Sequence, residues 1–264
     1  MNIIDIHCHI YPHKISDKAV TSIGNFYDIP MHHDGTPESL VAAGDRAGVT
    51  HFVVHSVATV PNQVRFINEF LAQTAAESGG RMVAFGTLHP DSEDIQGDIK
   101  HIIELGLHGI KLHPDFQKFL IDEEKALPIY EMAEGELPIL FHVGDYRYEY
   151  SRPERLRRVM DMFPKLVCIA AHFGGWTIWS EGVKYLAGVP NLYTDCSSSL
   201  FAIKPEMARD LINSYGADRV LFGSDYPMWD PQEELQRLEK VQLTPEEKEK
   251  ILYKNTAALL GLDM

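Results

Sequence analysis

The sequence predicts an eight-stranded β/α barrel, and three observations carry that prediction. Eight short apolar runs recur along the chain at intervals of roughly 25 to 45 residues, each followed by a stretch with helical periodicity. The length, 264 residues, suits one such barrel. A doubly wound sheet would place a glycine-rich phosphate turn after its first strand, and here two histidines stand instead. Active sites of (β/α)8 TIM barrels lie at the C-terminal ends of the strands, so those ends are where the chemistry is to be sought.

The first apolar run leads into Asp5-Ile6-His7-Cys8-His9, and strand alternation predicts Asp5, His7 and His9 on one face. Residues 10–35, rich in Pro, His, Asp and aromatics, read as an irregular loop long enough to serve as a lid. Thr36-Pro37 offers an N-cap and an N1 proline for a helix to about Gly48. Further strands are expected at 49–57, 82–88, 108–112, 137–143, 166–171, 191–196 and 219–223. Helices are expected between them at 62–78, 92–105, 123–134, 152–162, 178–186 and 205–215. Two additional C-terminal helices, at 231–241 and 245–260, complete a single expected domain over 1–264.

A formal charge of -14 disfavours nucleic acid or an anionic membrane as partner, because phosphate binding needs clustered Lys and Arg. Cys8, Cys168 and Cys196 lie in apolar runs without zinc-finger spacing and read as buried, inert thiols, which suits a reducing compartment. No signal-peptide pattern and no membrane-length apolar run is seen, so a cytoplasmic protein with a small-molecule substrate is expected.

Seven of the thirteen histidines fall at or near predicted strand ends: His7, His9, His55, His89, His113, His142 and His172. Asp225 stands at the end of the eighth strand. Imidazoles and a carboxylate converging from different elements suit zinc or a similar transition metal.

These residues, together with GIKLHP at 109–114, HVG at 142–144, AHFGG at 171–175, LFGSDYP at 221–227 and a closing NTAALLGL, resemble the amidohydrolase superfamily. The phrases are most similar to amidohydrolase family 2, which holds metal-dependent hydrolases and decarboxylases of the aminocarboxymuconate semialdehyde type. The resemblance runs from Asp5 to about Leu262. It implies one divalent metal ion, Zn²⁺ foremost with Mn²⁺ or Fe²⁺ as alternatives, held by His7, His9, His142 and Asp225. It makes His172 the acid/base or electrophilic group beside the reacting atoms, and Asp225 is placed to take a proton from metal-activated water. Lys111 and His113 share a strand face and are expected as supporting residues beneath the site or, less readily, as part of a second metal position. His89 and His113 stand open between supporting and structural roles, and His55 reads as structural.

Substrate-contacting residues are not determined, but Tyr11, Asp145-Tyr146-Arg147-Tyr148, Arg152, Trp176, Trp179 and Trp229 fall on loops above the rim. Arg147 or Arg152 would suit a substrate carboxylate. The expected activity is hydrolysis of a small cyclic or carboxylate-bearing amide, lactone or ester. Nonoxidative decarboxylation of an aromatic or unsaturated acid is the alternative, and the resemblance makes a homodimer plausible.

Overall fold

The computed structural model describes residues 2–262, so positions 1, 263 and 264 of the expected domain lie outside the described residues. Its strands are β1 (Ile4–His9), β2 (His51–His55), β3 (Met82–Ala84), β4 (Gly86–Thr87), β5 (Ile110–Leu112), β6 (Ile139–Phe141), β7 (Cys168–Ala170), β8 (Leu192–Asp195) and β9 (Val220–Leu221). Every pairing is parallel, as the intervening helices require. β3 and β4 are one barrel strand broken at Phe85: Phe85 N–H donates to Val54 O at 2.9 Å, and Gly86 N–H to Gly109 O at 2.8 Å. The circle closes where Ile6 N–H donates to Phe222 O at 2.9 Å and His9 N–H to Tyr226 O at 2.7 Å. Eight staves therefore surround one interior.

Ile4, Ile6, Val53, Phe85, Leu140, Ile169 and Leu221 form a buried cluster at its centre, and Cys8, Phe52, Val54 and Phe141 belong to the layer between strands and helices. The expected common face for Asp5, His7 and His9 is corrected here. A bulge in β1 shifts the register between Asp5 and Cys8, so Ile4 and Ile6 point inward before it and His7 and His9 after it. Asp5 goes to the other side, where its Oδ1 accepts Ser224 N–H at 2.9 Å and His7 N–H at 3.1 Å. One extra residue thus moves Asp5 from the site to a brace between β1 and the end of β9.

The stretch expected as a loop contains a helix, α1 (His13–Tyr27), lying over the barrel mouth. Its signal is weak in the sequence because Pro12 at the N-cap supplies no side-chain acceptor and Gly24 lowers the propensity. Tertiary contact decides its conformation. The next helix, α2 (Pro37–Ala47), starts as expected, with Thr36 Oγ1 accepting Ser39 N–H and Pro37 at N1. A helix α3 (Val64–Glu77) follows β2, and later helices at Ile95–Glu104, Leu127–Ala133, Pro153–Met162, Trp179–Leu186 and Pro205–Tyr215 match the expected positions. Pro231–Glu239 and the segments from Pro245 to Leu260 supply the two C-terminal helices. The three thiols are free and buried. Among the described residues no helix is long and apolar enough to cross a membrane.

α2 meets the barrel at Gly44, where an added Cβ would stand 2.3 Å from Phe52 Cζ. Gly44→Ala should gain about 1 kcal/mol of helix propensity but lose about 1–3 kcal/mol to overpacking. A net fall in thermal stability is expected, and Phe52→Leu in the same chain should recover part of it.

Candidate metal centre

At three of the site's rings the direction of the free lone pair is set by a hydrogen bond on the far side of the ring. His7 places Nδ1 2.9 Å from Asp195 Oδ2, so Nδ1–H donates and Nε2 is left as an acceptor. His142 donates Nε2–H to Gly144 O at 3.0 Å, leaving Nδ1 bare. His172 donates Nδ1–H to Ser197 O at 3.1 Å, leaving Nε2 bare. The two bare nitrogens of His142 and His172 then face each other at 3.1 Å with no proton assigned between them. His7 Nε2 and His9 Nε2 likewise approach to 3.3 Å, and Asp225 Oδ1 lies 3.3 Å from the first and 3.5 Å from the second.

A divalent ion fits this geometry. Tetrahedral ligands about 2.0–2.2 Å from a zinc-like ion are about 3.3–3.6 Å from one another. The His7–His9–Asp225 triangle matches one face of such a figure, and His7, His172 and Asp225 form a further group with ligand atoms within 4.8 Å. Burial holds the imidazoles of His7, His9 and His142 well below the usual histidine range, which keeps them in the neutral, ligating form. Burial also pushes the Asp225 carboxyl up to about 6 and His172 down to about 4.

Two of these residues sit in sparsely populated backbone. His172 has φ 61° and Asp225 φ 60°, the left-handed region that L-residues enter at a cost of about 1 kcal/mol or more. Hydrogen bonds hold them there: His172 N–H donates to Asp195 Oδ1 at 3.1 Å, and Met228 N–H to Asp225 O at 2.9 Å. Asp195 is the hub, receiving His7 through one oxygen and His172 N–H, Ser197 N–H and Ser197 O–H through the other. Ser198 O–H donates to Asp225 Oδ2 and accepts Trp229 Nε1–H at 2.9 Å. The sequence reading missed Asp195, Ser197 and Ser198. Their signal was an acid at the end of the seventh apolar run, followed by three serines.

The remaining expected residues divide. His142 faces His172 but also stacks on His113, with ring centroids 3.9 Å apart, in a second group with Asp115. His113 Nδ1 accepts Phe116 N–H at 3.3 Å, so its Nε2–H reaches the Tyr27 hydroxyl at 2.8 Å. Lys111 is fully buried and donates into His7 Nε2 at 3.0 Å, so that lone pair serves either the lysine or an ion. Burial lowers its amine to about 8, and no carboxylate among the described residues lies within 4 Å. His55 is buried against His9 and His7, with ring centroids 4.4 and 5.0 Å away, and both its nitrogens lack a hydrogen-bond partner. His89 Nδ1 accepts Asp91 N–H at 3.1 Å and belongs to a turn.

Neither arginine proposed for a substrate carboxylate is free. Arg147 binds both oxygens of Asp145, donates to Phe26 O at 2.8 Å and lies over the rings of Phe26, Tyr27 and Trp176. It fastens α1 over the barrel. Arg152 pairs with Glu149 and Glu181. Trp179 and Trp229 spend their indole N–H on Ser199 and Ser198, and the cavity walls are instead Ile23, Tyr27, Met31, Phe116, Pro227 and Met228.

Residues 4–262 match the Amidohydro_2 family model, described as Amidohydrolase, and the chain belongs to that family. No curated protein sequence matches it. Among solved structures, a TIM-barrel protein of Bordetella bronchiseptica is 21% identical, with TM-score 0.84 and 99% of both chains covered. A dihydroxybenzoic acid decarboxylase of Polaromonas sp. JS666, solved with bound manganese, is 17% identical, with TM-score 0.77, covering 100% of this chain and 98% of that one. A protein of Pseudomonas putida assigned as a 2-pyrone-4,6-dicarboxylic acid hydrolase is 18% identical, with TM-score 0.68, covering 99% and 98%. At these identities the likeness establishes the fold.

Asp195 fixes the tautomer of His7, so Asp195→Asn should weaken metal affinity about 10–100-fold. Competition against a chromophoric chelator measures this, and unchanged affinity would remove Asp195 from the support of the centre.

Proposed function

We propose that this chain is a metal-dependent hydrolase of a small cyclic or carboxylate-bearing amide, lactone or ester, with its ion held by His7, His9, His142 and Asp225. The observation that carries the reading is the convergence of acceptor atoms from these residues and His172 in one buried cavity. A divalent ion bound there supplies Lewis acidity, polarising a carbonyl and acidifying water. Zn²⁺ is the ion best suited to imidazoles and one carboxylate, with Mn²⁺ or Fe²⁺ as alternatives.

The protein's own groups then move the proton. Asp225, with one oxygen held by Ser198 O–H, is placed to take a proton from attacking water. His172 is pinned through Nδ1–H to Ser197 O and turns its bare Nε2 to the cavity, within 4.8 Å of the Asp225 carboxylate, where it takes that proton over and passes it to the leaving group. The ring of Tyr27, the ring of Phe116 and the side chains of Met31 and Met228 exclude water from around the reacting atoms.

The two aromatic walls also suit a planar acid, and the fold is shared with a dihydroxybenzoic acid decarboxylase. Decarboxylation is therefore the second reading: a proton taken up from water at His172 Nε2 would pass to the ring carbon as the bond to CO₂ breaks.

A panel of lactones, esters and amides, run beside aromatic and unsaturated acids, separates the two. Acid release without CO₂ supports hydrolysis, CO₂ release transfers the assignment to the second reading, and turnover of neither by metal-loaded protein overturns both. Elemental analysis should give about one ion per chain; two would bring Lys111 and His172 into the metal's shell. His172→Asn should lower kcat about a hundredfold or more while keeping the ion, whereas Asp225→Asn should lose both.

A further inference from the structure

The cavity at the His7–Asp225 cluster has an open volume of about 20 Å³, room for one water molecule rather than an organic substrate. Beside it runs a groove of about 580 Å³, within the range of roughly 300–1,000 Å³ usual for small-molecule sites. Ile23 of α1 and Phe116, after β5, line both spaces, so these two side chains are their common wall. The groove's sides are apolar: Ile15 and Phe26 of α1 face Phe66 and Phe70 of α3. Phe66 is 60% exposed and Ile15 41%, an apolar lip that no other described segment covers. Lys18 and Lys118 also line it, neither with a carboxylate within 4 Å among the described residues, and the one acid of the lining, Asp115, is buried and accepts Ser151 O–H. On a chain of formal charge -14, two unpaired cations on one apolar groove favour an anionic occupant.

We propose that this groove is the subsite for the non-reacting arm of the substrate, an apolar aliphatic or aryl chain ending in an anionic group. The reacting group lies at the metal cluster, the chain passes Ile23 and Phe116, and the anion ends at Lys18 and Lys118. Turning aside the Ile23 or Phe116 side chain joins the two spaces, so the substrate reaches the metal without unfolding α1. Arg147 keeps α1 in place as the groove's wall through its bond to Phe26 O. This assignment rests on the hydrolase reading for its reacting group and is independent of it for the arm.

The test is calorimetric titration of the metal-loaded full chain with phenylalkanoates from phenylacetate to phenylhexanoate, beside the matching neutral phenylalkanols. Affinity should rise about threefold to fourfold per added methylene, and the acids should bind severalfold more tightly than the alcohols. Phe66→Glu, at an exposed position that tolerates a charge, should flatten the dependence on chain length. Lys18→Glu combined with Lys118→Glu should abolish the preference for acids while leaving the alcohols unchanged. Length-independent affinity, or a slope that survives Phe66→Glu, would overturn the proposal. So would a chain that dimerises through this face, shown by Phe66→Glu turning a dimer into a monomer that gains probe binding no better than the parent. If the slope is found and no ester, lactone or amide is turned over, only the hydrolase reading fails. If turnover is found with no slope in substrate chain length, only the groove assignment fails.

Discussion

Like-natured atoms crowded together in a dry place are the constraint on which this structure turns. His7 Nε2, His9 Nε2, Asp225 Oδ1, His142 Nδ1 and His172 Nε2 all present lone pairs at about hydrogen-bond distance, with the Lys111 amine as the donor reaching into the cluster. Such an arrangement is unfavourable unless a cation joins it. Burial adds to the cost by opposing protonation of the rings, which would otherwise fill the gaps with N–H groups. A folded chain that keeps its acceptors so placed is organised to receive a positive ion.

The surrounding bonds are directed to that end. Asp195, Gly144 O and Ser197 O each take the outer N–H of one ring, which sets the tautomers of His7, His142 and His172. The left-handed backbone at His172 and Asp225 turns those side chains back toward the axis just after their strands end. Asp5, displaced from the site by the bulge in β1, holds the Ser224 turn that delivers Asp225. Removing one of these braces leaves a ligand present but misaligned, the failure to which metal sites are most sensitive.

Above the cluster, α1 changes how the site is reached. Tyr27 meets His113, Arg147 ties Phe26 O to Asp145, and the space left at the cluster holds little more than water. Arg147 illustrates how a residue type can mislead. A guanidinium on a rim loop of a barrel suits substrate recognition, but Asp145 two residues away captures it first, and the same cation then stacks on aromatic rings of the cover. The neighbouring groove has apolar walls contributed by α1, α3 and Phe116.

The sequence by itself determined the order of strands and helices, the rim on which the histidines gather, and the family, since each of these depends on periodicity and local phrases. Thr36 at its cap and Pro at the start of successive helices are equally local, and they stand where expected. Tertiary structure decided the rest. Whether Asp5 joins His7 depends on one bulge in strand pairing, and whether residues 13–27 coil into a helix depends on the barrel mouth beneath them. Asp195 touches His7 across 188 positions of sequence, a separation no pattern of neighbours can encode. Local propensity and alternation are properties of adjacent residues, whereas a ligand's tautomer, a salt bridge's chosen partner and a cavity's free volume are set by groups brought together only when the barrel closes.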